Sequence, residues 1–248
     1  MQRLCEIITS RELADNVYAI TMEAGGIGKK ARPGQFLHIK CGDGVFLRRP
    51  ISICDCRDGY LKIVFAAKGP GTNWLSEQKR GLLDVLGPLG NGFSLAGKRL
   101  LFVGGGIGVP PLLYAAREAE GITTAILGFQ TAEQVLLKDN FRDTCNRLIL
   151  TTDDGSLGER GFVTTPLERE LQTGTYDAVL ACGPTPMLQA VAAVAKRCNV
   201  PCQVSLEERM ACGVGACIGC IVTMQNGENL RVCHEGPVFD AQEVAWHG

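Results

Sequence analysis

Leu206-Glu207-Glu208-Arg209-Met210-Ala211-Cys212-Gly213-Val214-Gly215-Ala216-Cys217-Ile218-Gly219-Cys220 opens the last segment of the chain, and a fourth cysteine follows at Cys233. The spacing is Cys212-x4-Cys217-x2-Cys220-x12-Cys233. Four thiolates at four, two and a longer interval form one of the ligand sets that hold a [2Fe–2S] cluster. The residues between them are small: Gly213, Gly215, Ala216 and Gly219. A loop that wraps a cluster turns tightly and brings backbone N–H groups near sulfur, and glycine permits both. A structural zinc site also uses four thiolates, but its short spacings come as two matching knuckles. Two disulfides would need an oxidising compartment. The metal ligands expected are therefore Cys212, Cys217, Cys220 and Cys233.

The rest of the composition narrows the setting. The chain has 248 residues, enough for two compact domains or one domain with a small module. A formal net charge of -1 gives no bulk attraction to nucleic acid or to an acidic membrane. The opening Met1-Gln2-Arg3-Leu4-Cys5-Glu6 has no apolar signal core, and no apolar run reaches spanning length. A cytoplasmic, reducing compartment is the expectation, with no membrane and no nucleic acid as partner. There, grouped cysteines mean metal or redox chemistry. Eight of the 12 cysteines lie outside the motif, and seven of them (Cys5, Cys41, Cys54, Cys56, Cys145, Cys198 and Cys202) read as small buried hydrophobes.

Working back to the N-terminus, residues 1–97 read as all-β. Apolar–polar alternation runs through Val17-Tyr18-Ala19-Ile20-Thr21-Met22, Gln35-Phe36-Leu37-His38-Ile39 and Tyr60-Leu61-Lys62-Ile63-Val64-Phe65. Gly25-Gly26, Pro33-Gly34 and Asp58-Gly59 separate the strands. Short strands broken by such turns predict an antiparallel barrel or sandwich. One short helix is expected over 73–79. Two stretches carry more than strand pattern. In Arg48-Arg49-Pro50-Ile51-Ser52-Ile53 an arginine suits a phosphate and a serine suits a flavin edge. In Lys68-Gly69-Pro70-Gly71-Thr72 the glycines allow backbone to approach a pyrophosphate at a helix start. A solvated strand edge and a plain turn are the competing readings.

From Lys98 the period changes to alternating strands and helices. Leu100-Leu101-Phe102-Val103 leads into Gly104-Gly105-Gly106-Ile107-Gly108-Val109-Pro110-Pro111, and an apolar helix is expected over 112–119. Strands are expected over 124–129, 148–152 and 178–182, and helices over 166–171 and 184–197. This is a parallel α/β domain, 98–204. Its first loop does not match Gly-x-Gly-x-x-Gly, so the ordinary dinucleotide fingerprint is absent. A second loop, Cys182-Gly183-Pro184-Thr185-Pro186-Met187, also follows a strand. Open α/β sheets bind ligands at the C-terminal ends of their strands, and two such loops on one edge favour a nucleotide. The tail, 205–248, is a small module in which Ile221-Val222-Thr223 and Leu230-Arg231-Val232 flank Asn226-Gly227 as a hairpin. That hairpin carries Cys220 and Cys233 on its two arms.

A barrel followed by an α/β domain, with Arg-Pro-Ile-Ser, Gly-Thr, Gly-Gly-Gly-Ile-Gly and Cys-Gly-Pro, resembles the ferredoxin–NADP reductase superfamily. The cysteine segment narrows the resemblance to the electron-transfer subunits of NAD-dependent dihydroorotate dehydrogenases. It covers nearly the whole chain. The resemblance implies that Arg49, Pro50, Ile51 and Ser52 meet FAD, that Val64, Phe65 and Ala66 line it, and that Gly71 and Thr72 hold its phosphates. It implies that Gly104, Gly105, Gly106 and Gly108 form the NAD-side loop and that Cys182, Gly183 and Pro184 approach the nicotinamide. The wider superfamily often carries an aromatic residue where Ile51 stands, so the flavin face is covered differently here.

The same resemblance implies electrons passing from the FMN of a partner chain through the cluster to FAD and then to NAD, in pyrimidine biosynthesis. The expected assembly is a heterotetramer of two chains of each kind. This chain offers no site for dihydroorotate, and no general acid or base is expected in it. Gly128-Phe129-Gln130-Thr131-Ala132-Glu133 holds no cation for a 2′-phosphate, which favours NAD over NADP. Asp153 and Asp154 are candidates for contact with the nucleotide, a turn role being the other reading. Glu207, Glu208 and Arg209 read as a solvated or ion-paired turn, with partner docking as the alternative. Met210, Val214 and Ile218 either meet a partner or pack beneath their loop. Two other functions stay open: a reductase subunit passing NAD(P)H electrons to ferredoxin, sulfur or sulfite, and a non-enzymatic iron–sulfur redox sensor.

Overall fold

The computed structural model describes residues 1–246. Six antiparallel strands close into a barrel: β1 (Gln2–Ala14), β2 (Val17–Glu23), β3 (Phe36–Ile39), β4 (Arg49–Arg57), β5 (Tyr60–Ala66) and β6 (Leu82–Leu89), in the order β1-β2-β5-β4-β3-β6. Closure leaves no exposed sheet edge to pair with another chain. The interior is aliphatic, with Ile20, Met22, Leu37, Ile39, Ile53, Leu61 and Ile63 buried. Each such side chain contributes about 1.5–3 kcal/mol through burial. Helix α1 (Pro70–Glu77) packs Leu75 into the barrel's core and starts three residues before the expected 73–79. Pro70 occupies the first helical turn, where a missing N–H costs nothing.

The second sheet is built from β7 (Arg99–Gly105), α2 (Val109–Glu118), β8 (Ile122–Phe129), α3 (Lys138–Thr144), β9 (Arg147–Thr152), β10 (Glu159–Arg160), α4 (Thr164–Thr173), β11 (Ala178–Cys182), α5 (Thr185–Arg197) and β12 (Cys202–Ser205). From β10 to β12 its order is β10-β9-β8-β7-β11-β12, all parallel. Leu100, Leu101, Phe102 and Val103 on β7 are fully buried. Helices cover both faces of a parallel sheet, which is why this strand is a continuous apolar run without alternation.

The C-terminal segment adds β13 (Ile221–Thr223), β14 (Asn229–Arg231) and β15 (Val238–Asp240). β13 and β14 form the expected hairpin, paired Ile221 to Arg231 and Thr223 to Asn229. β15 runs antiparallel beside β12, so the tail continues the second sheet. The last two residues of the expected 205–248 module lie outside the described residues. No helix among the described residues is long and apolar enough to cross a membrane.

Helix α2 joins barrel to sheet. Tyr114 donates its hydroxyl to the Ala31 carbonyl at 3.0 Å. Arg117 on α2 pairs with Asp55 on β4, both side chains mostly buried. The strap after β6 fixes the third part: Asn91 donates from Nδ2 to the carbonyls of His234 and Glu235. All cysteines are free thiols. Of the seven read as buried hydrophobes, Cys56 and Cys198 are only half-buried, and Cys56 reaches the Gly28 carbonyl at 3.2 Å.

Candidate functional site

The order β9-β8-β7-β11-β12 reverses direction at β7, and the loops after β7 and β11 flank that reversal. Ligands of open α/β sheets bind at such a point. The two loops touch: a Cβ at Gly108 would lie 2.6 Å from the Cys182 carbonyl and from Gly183. Only glycine allows this approach, and it brings Gly106, Gly108, Gly183 and Pro184 into one wall. Gly104 differs from its neighbours. A Cβ there would meet the side chains of Val109, Leu112 and Leu127, so this glycine makes room for packing of α2 and β8.

A cleft of about 1050 Å³ opens between this wall and the barrel. Of the residues expected at the cofactors, Pro50, Ser52, Gly105, Gly106, Gly108, Cys182, Gly183 and Pro184 line it. Ile51, Val64 and Phe65 are buried in hydrophobic cores, and Phe65 stacks on Tyr18 at 6.1 Å between ring centroids. Strand β4 reaches the cleft through Pro50 and Ser52, whereas no residue of β5 lines it. Ala66, at the end of β5, is only partly buried and does not line the cleft.

Gly71 lies against Arg49, whose Nε would be 2.7 Å from a Cβ added there. A guanidinium is thus set beside the first turn of α1, and cation plus free N–H groups suit a phosphate. The Thr72 hydroxyl is occupied: it accepts from the backbone N–H of Lys68 and Gly69 and donates to the Gly69 carbonyl. It shapes the loop, so a phosphate placed there would be met by backbone N–H groups. Lys68 itself lines the cleft and is a second cation at this end.

The far end of the cleft carries Gln130, Gln134, Thr151, Asp153 and Phe162. Asp153 faces the cleft. Asp154 instead accepts from Ser156 Oγ at 2.6 Å and from its backbone N–H, which hold its carboxyl below the usual range. The opposite end carries Glu207, Glu208, Arg209 and Met210, so these residues stand between the glycine wall and the cysteine loop. Burial pushes the Cys182 thiol up to about 12, against a hydrogen bond from Ser205, so it stays a neutral thiol.

Beyond Met210 the cysteine loop folds against the hairpin. Backbone N–H groups point at sulfur from Gly215 to Cys233 at 3.1 Å, Cys233 to Cys220 at 3.4 Å and Val214 to Cys212 at 3.5 Å. Cys220 and Cys233 are buried, Cys212 is half-buried and Cys217 is exposed. The sulfurs stand as two pairs. Cys212 neighbours Cys217, and although burial opposes it, the N–H groups of Val214 and Cys217 bring its thiol down to about 6. Burial and the neighbouring Cys220 push Cys233 up to about 12. Among the described residues no three ligating side chains stand together at coordinating distance. The donor set of soft sulfurs with N–H groups directed at them fits an iron–sulfur centre, whose potential such bonds tune.

His38 on β3 is absent from the residues that spacing singles out. It is 1% exposed, and neither ring nitrogen has a hydrogen-bond partner among the described residues. A buried group left this way costs about 1–3 kcal/mol. Burial and then the nearby Arg48 charge push its pKa below the ordinary histidine value, against smaller contributions from the backbones of Arg48 and Cys212. The ring lies against the cysteine loop. A Cβ at Gly213, where φ is +70°, would be 2.5 Å from His38 Nδ1.

A closed barrel, a parallel nucleotide-type sheet and a cleft between them define the ferredoxin reductase class of flavin-linked oxidoreductases. Residues 207–245 match the family described as the iron-sulfur cluster binding domain of dihydroorotate dehydrogenase B. The chain is 43% identical over 244 residues to the dihydroorotate dehydrogenase B (NAD(+)) electron transfer subunit of Caldanaerobacter subterraneus subsp. tengcongensis, covering 96% of each chain. It is 42% identical over 253 residues to that of Bacillus caldolyticus, again covering 96% of each. Among solved structures it superposes with a TM-score of 0.90, at 33% identity, on the NADH-dependent reduced ferredoxin-NADP oxidoreductase studied for flavin-based electron bifurcation, covering 98% of this chain and 90% of that one. The chain belongs to the family of electron transfer subunits of dihydroorotate dehydrogenase B. It is an oxidoreductase subunit whose part is electron transfer.

Proposed function

We propose that the chain carries electrons between the FMN of a dihydroorotate dehydrogenase catalytic subunit and NAD, through a [2Fe–2S] centre held by Cys212, Cys217, Cys220 and Cys233 and an FAD held by the barrel. One observation carries the reading: a single cleft runs from Gln130 and Asp153, past Pro50 and Ser52, to Arg209 and Met210 at the entry to the cysteine loop. A flavin supplies the junction between hydride and single-electron chemistry. The chain's residues do the positioning. Arg49, with the first turn of α1, binds the flavin phosphates; Ser52 orients the ring edge. Gly106, Gly108, Gly183 and Pro184 seat the nicotinamide nucleotide, and Asp153 favours a free ribose hydroxyl. Cys182 and Ser205 border the nicotinamide end and exclude water.

Dihydroorotate oxidation belongs to the partner, in a heterotetramer of two chains of each kind. A cytoplasmic setting accords with twelve unpaired thiols. Val214 and Ile218 stand exposed on the cysteine loop and suit that partner, whereas Met210 is half-buried and packs onto the core. A second reading, a reductase subunit serving ferredoxin, is favoured by the likeness to the bifurcating oxidoreductase. Affinity purification of the tagged chain from its native cells decides between them. An FMN-bearing partner, with dihydroorotate-dependent NAD reduction in the complex and none in the isolated chain, is the expected result. Dihydroorotate turnover by the isolated chain, or a ferredoxin-linked partner instead, would overturn the reading.

A further inference from the structure

His38 is a polar side chain that the barrel buries where an aliphatic residue would serve packing better. Its neighbours along β3, Leu37 and Ile39, fill the barrel interior. His38 points out of the barrel towards Gly213, against which its ring is seated. Its strand pairs it with Pro50 of β4, in the stretch assigned to the flavin. The loop yields space for the ring: Gly213 lacks a side chain and holds a positive φ. Arg48 fixes the histidine's backbone from behind, donating from Nη1 to the His38 carbonyl at 3.2 Å and to Asp84. A held, desolvated imidazole with unpaired nitrogens, placed beside a ligand loop, is a donor awaiting an acceptor.

We propose that His38 is the barrel's hydrogen-bond donor to the cysteine loop, a positioning residue that fixes the Cys212–Gly213 segment and stabilises negative charge on the centre it holds. The proposal rests on the cysteine loop carrying an iron–sulfur centre. Hydrogen bonds towards thiolate ligands favour the reduced, more negative centre and raise its potential. His38 thus couples the flavin-bearing barrel to the centre through a single side chain.

The test compares purified holoprotein as wild type, His38→Phe and His38→Gln by spectroelectrochemistry and electron paramagnetic resonance. Phe keeps the bulk and removes the donor; Gln keeps an N–H. At a fixed poise the reduced-to-oxidised ratio of the centre should fall about tenfold in His38→Phe, equivalent to about 59 mV for one electron. It should fall less than about threefold in His38→Gln, with g-values near wild type. A wild-type ratio in His38→Phe, or equal shifts in both variants, would overturn the proposal. Should His38→Phe fail to load, pulsed resonance on 15N-histidine protein decides. A nitrogen coupling to the reduced centre that is lost in His38→Gln and kept in His234→Gln supports it. A coupling that persists in His38→Gln refutes it. Iron and sulfide analysis of wild type separates the two levels: no iron and sulfide there defeats the reading of the loop as well.

Discussion

Arg231 donates from Nη1 to the carbonyl oxygen of Gly215 at 2.7 Å. The same guanidinium pairs with Glu235, so one side chain ties the hairpin to the cysteine loop. Gly215 in turn directs its N–H at Cys233. Replacing Arg231 with Met keeps the aliphatic stem and frees the Gly215 carbonyl. Partners one step beyond metal ligands are worth about 10–100-fold in metal retention. Arg231→Met should therefore lose iron to a chelator about tenfold faster than wild type, followed by bleaching of visible absorbance. Equal rates would mean that the sulfurs hold the loop without this clamp.

The ion pair also sets a pH dependence. The Arg231 guanidinium, hydrogen-bonded to Glu235, holds its carboxyl down to about 2 from an ordinary 4.5. A depressed acid adds stability that is present above its ordinary pKa and lost as pH falls towards its folded value. Wild type should thus melt above Glu235→Gln at neutral pH. The gap should close as pH drops from about 4.5 towards 2. Thermal melts of the two proteins across that range measure it, and a gap independent of pH would assign the effect to packing.

Gly108 gives a sharper test of the nucleotide wall. A Cβ there would stand 2.6 Å from the Cys182 backbone. That contact involves backbone on both sides, so it cannot be relieved by a rotamer change, and forcing it costs about 1–3 kcal/mol. Gly108→Ala should separate the two loops. NADH oxidation with a dye acceptor should fall about tenfold in kcat/KM, while flavin content stays at the wild-type level. Gly104→Ala, which crowds the side chains of Val109, Leu112 and Leu127, should lower melting temperature with a smaller effect on KM.

The contrast between those two glycines marks where reading from sequence succeeds. Apolar period, turn residues and cysteine spacing are local signals, and they carried the barrel, the parallel sheet and the hairpin. Strand β1 escaped because only Cys5 and Ile7 along it are buried, so its 13 residues show little alternation. Helix α3 escaped because it is short and mostly polar, with Phe141 alone buried. Gly104 and Gly108 look alike in a list of glycines, and only packing separates a helix contact from a loop contact. Asp153 and Asp154 are separated likewise by Ser156, which occupies one of them. His38 is an alternating strand position in sequence. Its meaning comes from Gly213, 175 positions later in the chain, which no local pattern connects to it.

Asp153 offers a test of nucleotide choice. It faces the end of the cleft that also holds Gln130, Gln134 and Thr151, with no lysine or arginine among them. A carboxylate there repels a 2′-phosphate and accepts from a ribose hydroxyl. Asp153→Ser should raise kcat/KM for NADPH relative to NADH by about tenfold, and adding Gln130→Arg should raise it further. Steady-state kinetics with both nucleotides and a dye acceptor checks this. An unchanged ratio would place the ribose elsewhere along the cleft.

The exposed face of the cysteine loop carries the last prediction. Ile218 is 66% exposed and Val214 is 47% exposed, with Ile221 beside the loop at 41%. Single exposed aliphatics are ordinary on protein surfaces. Here three lie on or beside the loop that also exposes Cys217, where electrons from the partner subunit would enter the centre. Ile218 also holds a positive φ of 56°, which turns the chain outward between Cys217 and Cys220. A β-branched residue is disfavoured in that conformation, so the apolar side chain is placed there at a cost. A central apolar anchor typically carries a large share of binding energy in an interface. Ile218→Glu should weaken association with the FMN-bearing subunit at least about tenfold, because a charge replaces an anchor in a desolvated contact. The isolated chain should keep its iron content and its dye-linked NADH oxidation, since the side chain touches neither cleft nor core. Calorimetric titration of the two subunits measures the first effect, and iron analysis with the dye assay measures the second. Wild-type affinity in Ile218→Glu would move the docking surface off this loop.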